Sequence, residues 1–276
     1  NWVLGVMART QNPDARGNYL AGFSNFDGIP GSPVEYELMA PGVDVWSTLP
    51  GGQYAAWDGT SMAAPVVSGL AALARTRWSD QEVYSSRFIM GQIATTGESL
   101  QGRLTAKGDA VSYHTANARA ALTTVPKPQL AHLQHWLFDT PLQDDGNDDD
   151  GLVDAGETLD LAVVIRNQWG KADPVSVTLE AWAPGATQAD PYVEWITNTV
   201  DYGAIGSFNW DDNGLIYDAD QTIIEVRNPF RFVVSADCPN NHVIPFRVTM
   251  AAWNGLDPGD PQVYITQSHF QLVVQR

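Results

Sequence analysis

The strongest constraint on the fold is a change of hydrophobic period at Thr123-Thr-Val-Pro-Lys-Pro128. Before it, apolar residues recur at helical spacing. Thr60 to Arg75 is a small-residue, apolar helix with Pro65 near its start. Ser79-Asp-Gln-Glu82 has the pattern of a capping box for a second helix carrying Val83, Phe88, Ile89 and Ile93, and Ala116 to Leu122 fits a short third. After it, β-branched and aromatic runs alternate with turn residues: 159–165, 175–181, 193–197, 223–226, 230–234, 243–250 and 263–274. Seven such runs with no helix between them predict an antiparallel sandwich of immunoglobulin-like type. The expected organisation is residues 1–123, a Pro-stiffened linker at 124–128, and a β-sandwich at 129–276.

The first region contains Asp58-Gly-Thr-Ser-Met-Ala-Ala-Pro65, running into Val-Val-Ser-Gly-Leu-Ala-Ala-Leu73. A glycine that allows a sharp turn, followed by a serine at a helix start, places a hydroxyl where amides are unpaired and the helix dipole favours negative charge. A capped, buried helix without chemistry is the bland alternative. The segment resembles the nucleophile region of subtilisin-like serine proteases, and the resemblance nominates Ser61 as nucleophile, with its backbone amide as one oxyanion donor. Ala21-Gly-Phe-Ser-Asn-Phe26 resembles the family's surface turn, and Glu37-Leu-Met-Ala-Pro-Gly-Val-Asp-Val45 resembles its Ala-Pro-Gly strand. Trp2 to Ala8 reads as a buried strand. The ordered matches cover residues 1 to about 122, so the expected fold class is α/β, the C-terminal portion of a subtilisin-like parallel-sheet domain, plus an all-β antiparallel sandwich.

The family's triad runs Asp, His, Ser along the chain. Here no Asp-Ser/Thr-Gly follows an apolar strand and no His-Gly-Thr occurs. His114, His132, His135, His242 and His269 fall where solvated or structural histidines are expected. The resemblance therefore implies that the triad Asp and His and the oxyanion Asn lie outside this chain, on an N-terminal fragment of the same protease. The chain alone is expected to be inactive, and the substrate implied is polypeptide. A non-catalytic, calcium-stabilised binding or adhesion module carrying a protease remnant is the alternative.

A second motif, Asp144-Asp-Gly-Asn-Asp-Asp-Asp-Gly-Leu-Val-Asp-Ala-Gly-Glu157, opens the β-rich region. Calcium takes six to eight hard oxygen ligands, and acidic residues around a Gly turn ending in Glu can supply them. Asp145, Asn147, Asp149, Asp154 and Glu157 are the candidate ligands of a structural calcium ion; a solvated acidic linker is the alternative. Asp211 to Asp218 is a weaker candidate of the same kind.

The formal net charge is −17, with lysine only at positions 107, 127 and 171. Such a surface repels nucleic acid and anionic lipid. No apolar run is long enough to span a membrane. The lone Cys238 excludes an internal disulfide. Together with the resemblance, these features lead to the expectation of a secreted protein.

Overall fold

A computed structural model describes residues 3–26, 36–104, 110–139, 150–254 and 262–275. The chain forms two compact units, Asn1–Thr124 and Val125–Arg276.

The first unit contains strands β1 (Val6–Arg9), β2 (Leu38–Pro41), β3 (Val45–Leu49) and β4 (Gln53–Trp57), helices α1 (Thr60–Arg77) and α2 (Ser86–Thr95), strands β5 (Glu98–Leu104) and β6 (Ala110–Thr115), and helix α3 (Ala118–Thr123). The main sheet has the order β1-β2-β6-β5; β1, β2 and β6 are parallel and β5 is antiparallel to β6. Met7, Ala8, Leu38, Met39 and Ala40 are completely buried, as expected for parallel strands covered by helices. The outer edge of β1 is closed by the Phe-Ser-Asn turn: Ala21 N–H donates to Ala8 O (2.9 Å) and Ala8 N–H to Ser24 Oγ (3.0 Å).

Helix α1 rests on β1 and β2 through Ala63, Val67, Leu70 and Ala74. Pro65 lies in its second turn, so its missing N–H withdraws the helical donor from the Ser61 carbonyl. The N-cap of helix α2 is Ser85, six residues beyond the predicted cap Ser79. Asp80 Oδ1 instead accepts from the N–H groups of Glu82 (3.0 Å) and Val83 (3.2 Å), forming a turn, and Ser85 is the actual cap through Phe88 N–H (3.3 Å). This turn delivers Tyr84 into a buried ring cluster with Trp78 and Phe88, centroids 4.7 to 5.9 Å apart. Burial pushes the Tyr84 phenol up to about 12. The C-terminal carbonyls of α3 are satisfied by side chains: Gln92 Nε2 donates to Ala121 O (3.3 Å) and Thr124 O (2.8 Å), and Trp78 Nε1 donates to Ala121 O (3.3 Å).

The second unit contains β7 (Leu130–Phe138), β8 (Thr158–Asn167), β9 (Ala172–Ala181), β10 (Val193–Thr197), β11 (Thr199–Ile205), β12 (Trp210–Asp212), β13 (Leu215–Tyr217), β14 (Ile223–Val226), β15 (Phe230–Val234), β16 (Val243–Ala252) and β17 (Tyr264–Val273). One antiparallel sheet has the order β10-β15-β8-β12, with β7 on the other side of β8; the second has the order β11-β9-β16-β17. Alternating residues of both, including Leu159, Leu161, Phe232, Val177, Phe246 and Val248, share one apolar core. Rings continue through that core from Trp195 to Phe232, Phe246 and Phe270 at centroid spacings of 5.5, 5.4 and 5.0 Å. The predicted limits of β10, β14 and β15 coincide with those observed, whereas β7, β11, β12 and β13 were not expected from the sequence.

Candidate active site

The end of β2 and the start of α1 are locked together by two glycines. Gly42 passes so close to β1 that an added Cβ would lie 2.5 Å from Ala8 Cβ and 2.9 Å from Gly59 O. Its N–H donates to Arg9 O (3.1 Å), and its carbonyl accepts from Gly59 N–H (2.8 Å). Gly59, the helix N-cap, has φ 156° and ψ 157°, which side chains disfavour. The Ala-Pro-Gly strand end and the Gly-Thr-Ser helix start are therefore two sides of one joint.

Between them runs the β3–β4 hairpin, closed at its base by Asp58. Asp58 Oδ1 accepts from the N–H of Asp44 (2.8 Å), a residue held at φ 54°, where Asp is better tolerated than most side chains. This role was not drawn from the sequence. Its only trace there is an acidic residue at each end of the hairpin, fourteen positions apart.

Ser61 is exposed in the first turn of α1. No side chain caps the helix, and Met62 N–H and Ala63 N–H turn back to Gly59 O (3.1 and 3.3 Å). Met62 forms a small cleft with Val45, Ser47, Leu49, Ala55 and Trp57 of the hairpin. Trp57 is 55 % exposed and Trp46 72 %, whereas Trp78 is buried. The serine hydroxyl thus sits at the positive end of a helix dipole beside an apolar cleft. Such an arrangement can hold a polarised carbonyl near a nucleophile once a base is supplied.

His114 is the first unit's only histidine, and its Nδ1 is 2.9 Å from Ala94 O at the end of α2. In the second unit, His242 Nε2 is paired with Asp190 Oδ2 at 2.8 Å and His269 is exposed on β17. His132 and His135 are half-buried and paired with each other rather than solvated.

Of the candidate calcium ligands, Asp145, Asn147 and Asp149 lie outside the described residues. Asp154 and Glu157 are brought together: Glu157 is buried, and its Oε2 accepts from Asp154 N–H (2.8 Å). Across the same segment, buried Asp139 accepts from Asp150 N–H (3.1 Å). Among the described residues, no group of three or more His, Cys, Asp or Glu side chains is placed to hold a metal. The weaker acidic candidate is a set of turns. Asp212 Oδ1 accepts from Gly214 and Leu215 N–H (2.8 Å each), and Asp218 Oδ1 accepts from Asp220 (2.9 Å) and Thr222 (2.8 Å).

Three parallel strands, a helix packed on them and a serine at the uncapped helix start are an α/β arrangement in outline. Comparison with known families is specific: residues 1–117 match the Subtilase family. Subtilisin of Bacillus pumilus is 52% identical over 52 residues, 18% of this chain and 19% of that protein. An intracellular serine protease of Paenibacillus polymyxa is 59% identical over 39 residues, 14% of this chain and 12% of the relative. M-protease of Shouchella clausii is 48% identical over 84 residues, covering 29% of this chain and 19% of the relative. The chain thus spans less than a fifth of the length of these curated relatives. Among solved structures, the patellamide maturation protease PatA aligns at 27% identity with a TM-score of 0.32, covering 44% of this chain and 42% of that one. The prenylagaramide maturation protease PagA aligns at 24% identity and TM-score 0.32, covering 44% and 41%. Among the described residues no helix is long and apolar enough to cross a membrane.

Proposed function

We propose that this chain carries the nucleophile of a secreted, subtilisin-like serine endopeptidase. Ser61 Oγ attacks the scissile carbonyl of a polypeptide, and Ser61 N–H donates to the oxyanion. The proton passes to a histidine oriented by an aspartate; these two groups and the second oxyanion donor, an Asn, come from an N-terminal portion of the same protease outside this chain. The observation that carries the reading is the joint between Gly42 and Gly59, which holds an exposed serine at an uncapped helix start. The second face of α1 supports it. Val66 and Leu73 are 39 % and 53 % exposed, and Ala64, Gly69 and Ala72 beside them are also uncovered. A helix that is apolar all round belongs in a larger core, and an N-terminal portion would complete that core.

The test is labelling with a fluorophosphonate probe followed by peptide mapping. The product of the full gene is expected to carry the adduct on the Ser61 peptide, Ser61→Ala to carry none, and this chain alone to be unlabelled. An unlabelled full-gene product sinks the reading and favours a non-catalytic module.

The second unit, on this reading, is an immunoglobulin-like β-sandwich at 129–276, following a linker at 124–128, and a structural calcium ion holds its opening loop. Asp145, Asn147, Asp149, Asp154 and Glu157 would supply its oxygen ligands. Supporting this, the two carboxylates Asp139 and Glu157 are buried at either end of that loop, where a cation offsets the repulsion among its acidic residues. Calcium removal by a chelator is expected to lower the melting temperature, and Glu157→Gln to abolish that dependence. A melting temperature indifferent to calcium refutes the site.

A further inference from the structure

His132 and His135 take no part in the chemistry proposed for Ser61, yet they are closely organised. Side chains three residues apart on a regular strand point to opposite faces. The bulge between His132 and Gln134 restores these two to one face and leaves Leu133 49 % exposed. His132 Nε2 then lies 3.3 Å from His135 Nδ1. His135 stacks on Phe270 of β17 at a centroid distance of 4.0 Å, and His132 lies tilted against the same ring at 5.2 Å.

We propose that His132 Nε2 and His135 Nδ1 form a two-imidazole site for a divalent transition metal ion such as Cu²⁺ or Zn²⁺, with water completing the coordination. Two nitrogens bound at 2.0–2.1 Å in a tetrahedral arrangement are separated by about 3.3 Å, the spacing already present in the metal-free pair. On binding, the one proton held between the two nitrogens moves through solvent to the remote nitrogen of its own ring, His135 Nε2 or His132 Nδ1 according to the tautomer. Both rings stay neutral and no net proton is released. The acidic surface concentrates cations nearby. Imidazole selects transition metals over calcium, which takes oxygen ligands. The site is therefore independent of the calcium loop and of the protease reading.

The experiment is titration of the metal-stripped full chain with Cu²⁺ and Zn²⁺ at pH 7.5, in excess Ca²⁺, by calorimetry. One equivalent is expected to bind, with affinity falling at least tenfold in His132→Gln and in His135→Gln but not in His269→Gln. Circular dichroism confirms that each variant is folded. Electron paramagnetic resonance of the Cu²⁺ form of the unaltered chain is expected to show two coupled imidazole nitrogens, a readout that survives a misfolded variant. Affinity retained in both single variants, equal loss in His269→Gln, or a Cu²⁺ signal lacking two imidazoles overturns the proposal.

Discussion

Replacing Asn213 should unfold the second unit far more readily than removing one surface amide would. β15 pairs with β8 only up to Leu161, and β12 resumes the ladder at Val164. The peptide groups between them would be orphaned in the core. Asn213 fills that gap: its Oδ1 accepts from Val163 N–H (2.8 Å), and its Nδ2 donates to Leu161 O (3.0 Å) and Asn228 O (2.8 Å). Tyr202 Oη completes the repair by donating to Val163 O (2.8 Å). Leu161 and Val163 are completely buried, so water cannot replace the lost partners; Asn228 O is only partly buried and can rehydrate. At about 1–3 kcal/mol for each orphaned buried group, Asn213→Ala should cost roughly 2–6 kcal/mol. With a urea m-value of about 2 kcal/mol/M, the midpoint should fall by about 1–3 M. The assay is urea unfolding followed by circular dichroism and tryptophan fluorescence, with the two units fitted as separate transitions. Asn213→Asp keeps the acceptor for Val163 but sets a charge beside two carbonyls, so at pH 7 it should be at least as unstable. A midpoint shift below about 0.5 M in Asn213→Ala, at unchanged m, refutes the claim that this side chain replaces a missing strand segment.

Gly42→Ala should destabilise the first unit by about 1–3 kcal/mol through overpacking against Ala8 and Gly59; an unchanged melting temperature would mean that the joint relaxes freely. Gln92→Leu strands the Thr124 carbonyl at the end of α3 and should cost about 1–3 kcal/mol in thermal unfolding, against near neutrality if water reaches that carbonyl. Burial, followed by the charge of Asp212, raises the Asp211 pKa above its ordinary 3.8 although the Asp212 N–H opposes the shift. The folded state therefore holds that proton more tightly than the unfolded one, and stability falls as pH rises from below 3.8 through the raised value. Asp211→Asn should accordingly be more stable than the parent at pH 7 and lose that advantage below pH 3.8; an advantage that persists at low pH contradicts the assignment.

The parts of the fold legible in the sequence are those where one local rule acts alone. Phe230–Val234 alternates buried and half-buried residues, and its predicted ends were the observed ones. The opening of α1 was legible because glycine, a small hydroxyl residue and an apolar run occur together. Where two local rules compete, the reading failed. Ser79 and Glu82 look like a capping box, but Asp80 between them captures the same amides for a turn. The acidic stretch at Asp211 suggested a cation, but its carboxylates are occupied by their own backbone, and Asn213 by a strand 50 or more residues earlier in the chain. β7 was missed because its bulge breaks the two-residue period, and that same bulge makes His132 and His135 neighbours. Side chains that repair a ladder or share a bulge are defined by partners distant in sequence, which no window along the chain contains.

Helix α1 joins the two levels of the argument. Its inner stripe, Ala63, Val67, Leu70 and Ala74, is buried on β1 and β2 and suffices to fix the helix direction. Its outer stripe is no less apolar but is uncovered, at Val66 and Leu73 most of all. Polar residues there would have served a finished domain better, since an exposed apolar stripe invites association. On the function proposed above, covering that stripe and supplying a base to Ser61 are two demands that one N-terminal portion would meet. Replacing Leu73 by Lys separates them: it lies three turns from Ser61, so it leaves the serine's surroundings intact while making the outer face costly to bury. In the full-gene product, Leu73→Lys should reduce fluorophosphonate labelling of Ser61 by weakening assembly, and should leave the isolated chain as stable as before. Undiminished labelling would show that the outer face stays in water, and the apolar composition of α1 would then need another cause.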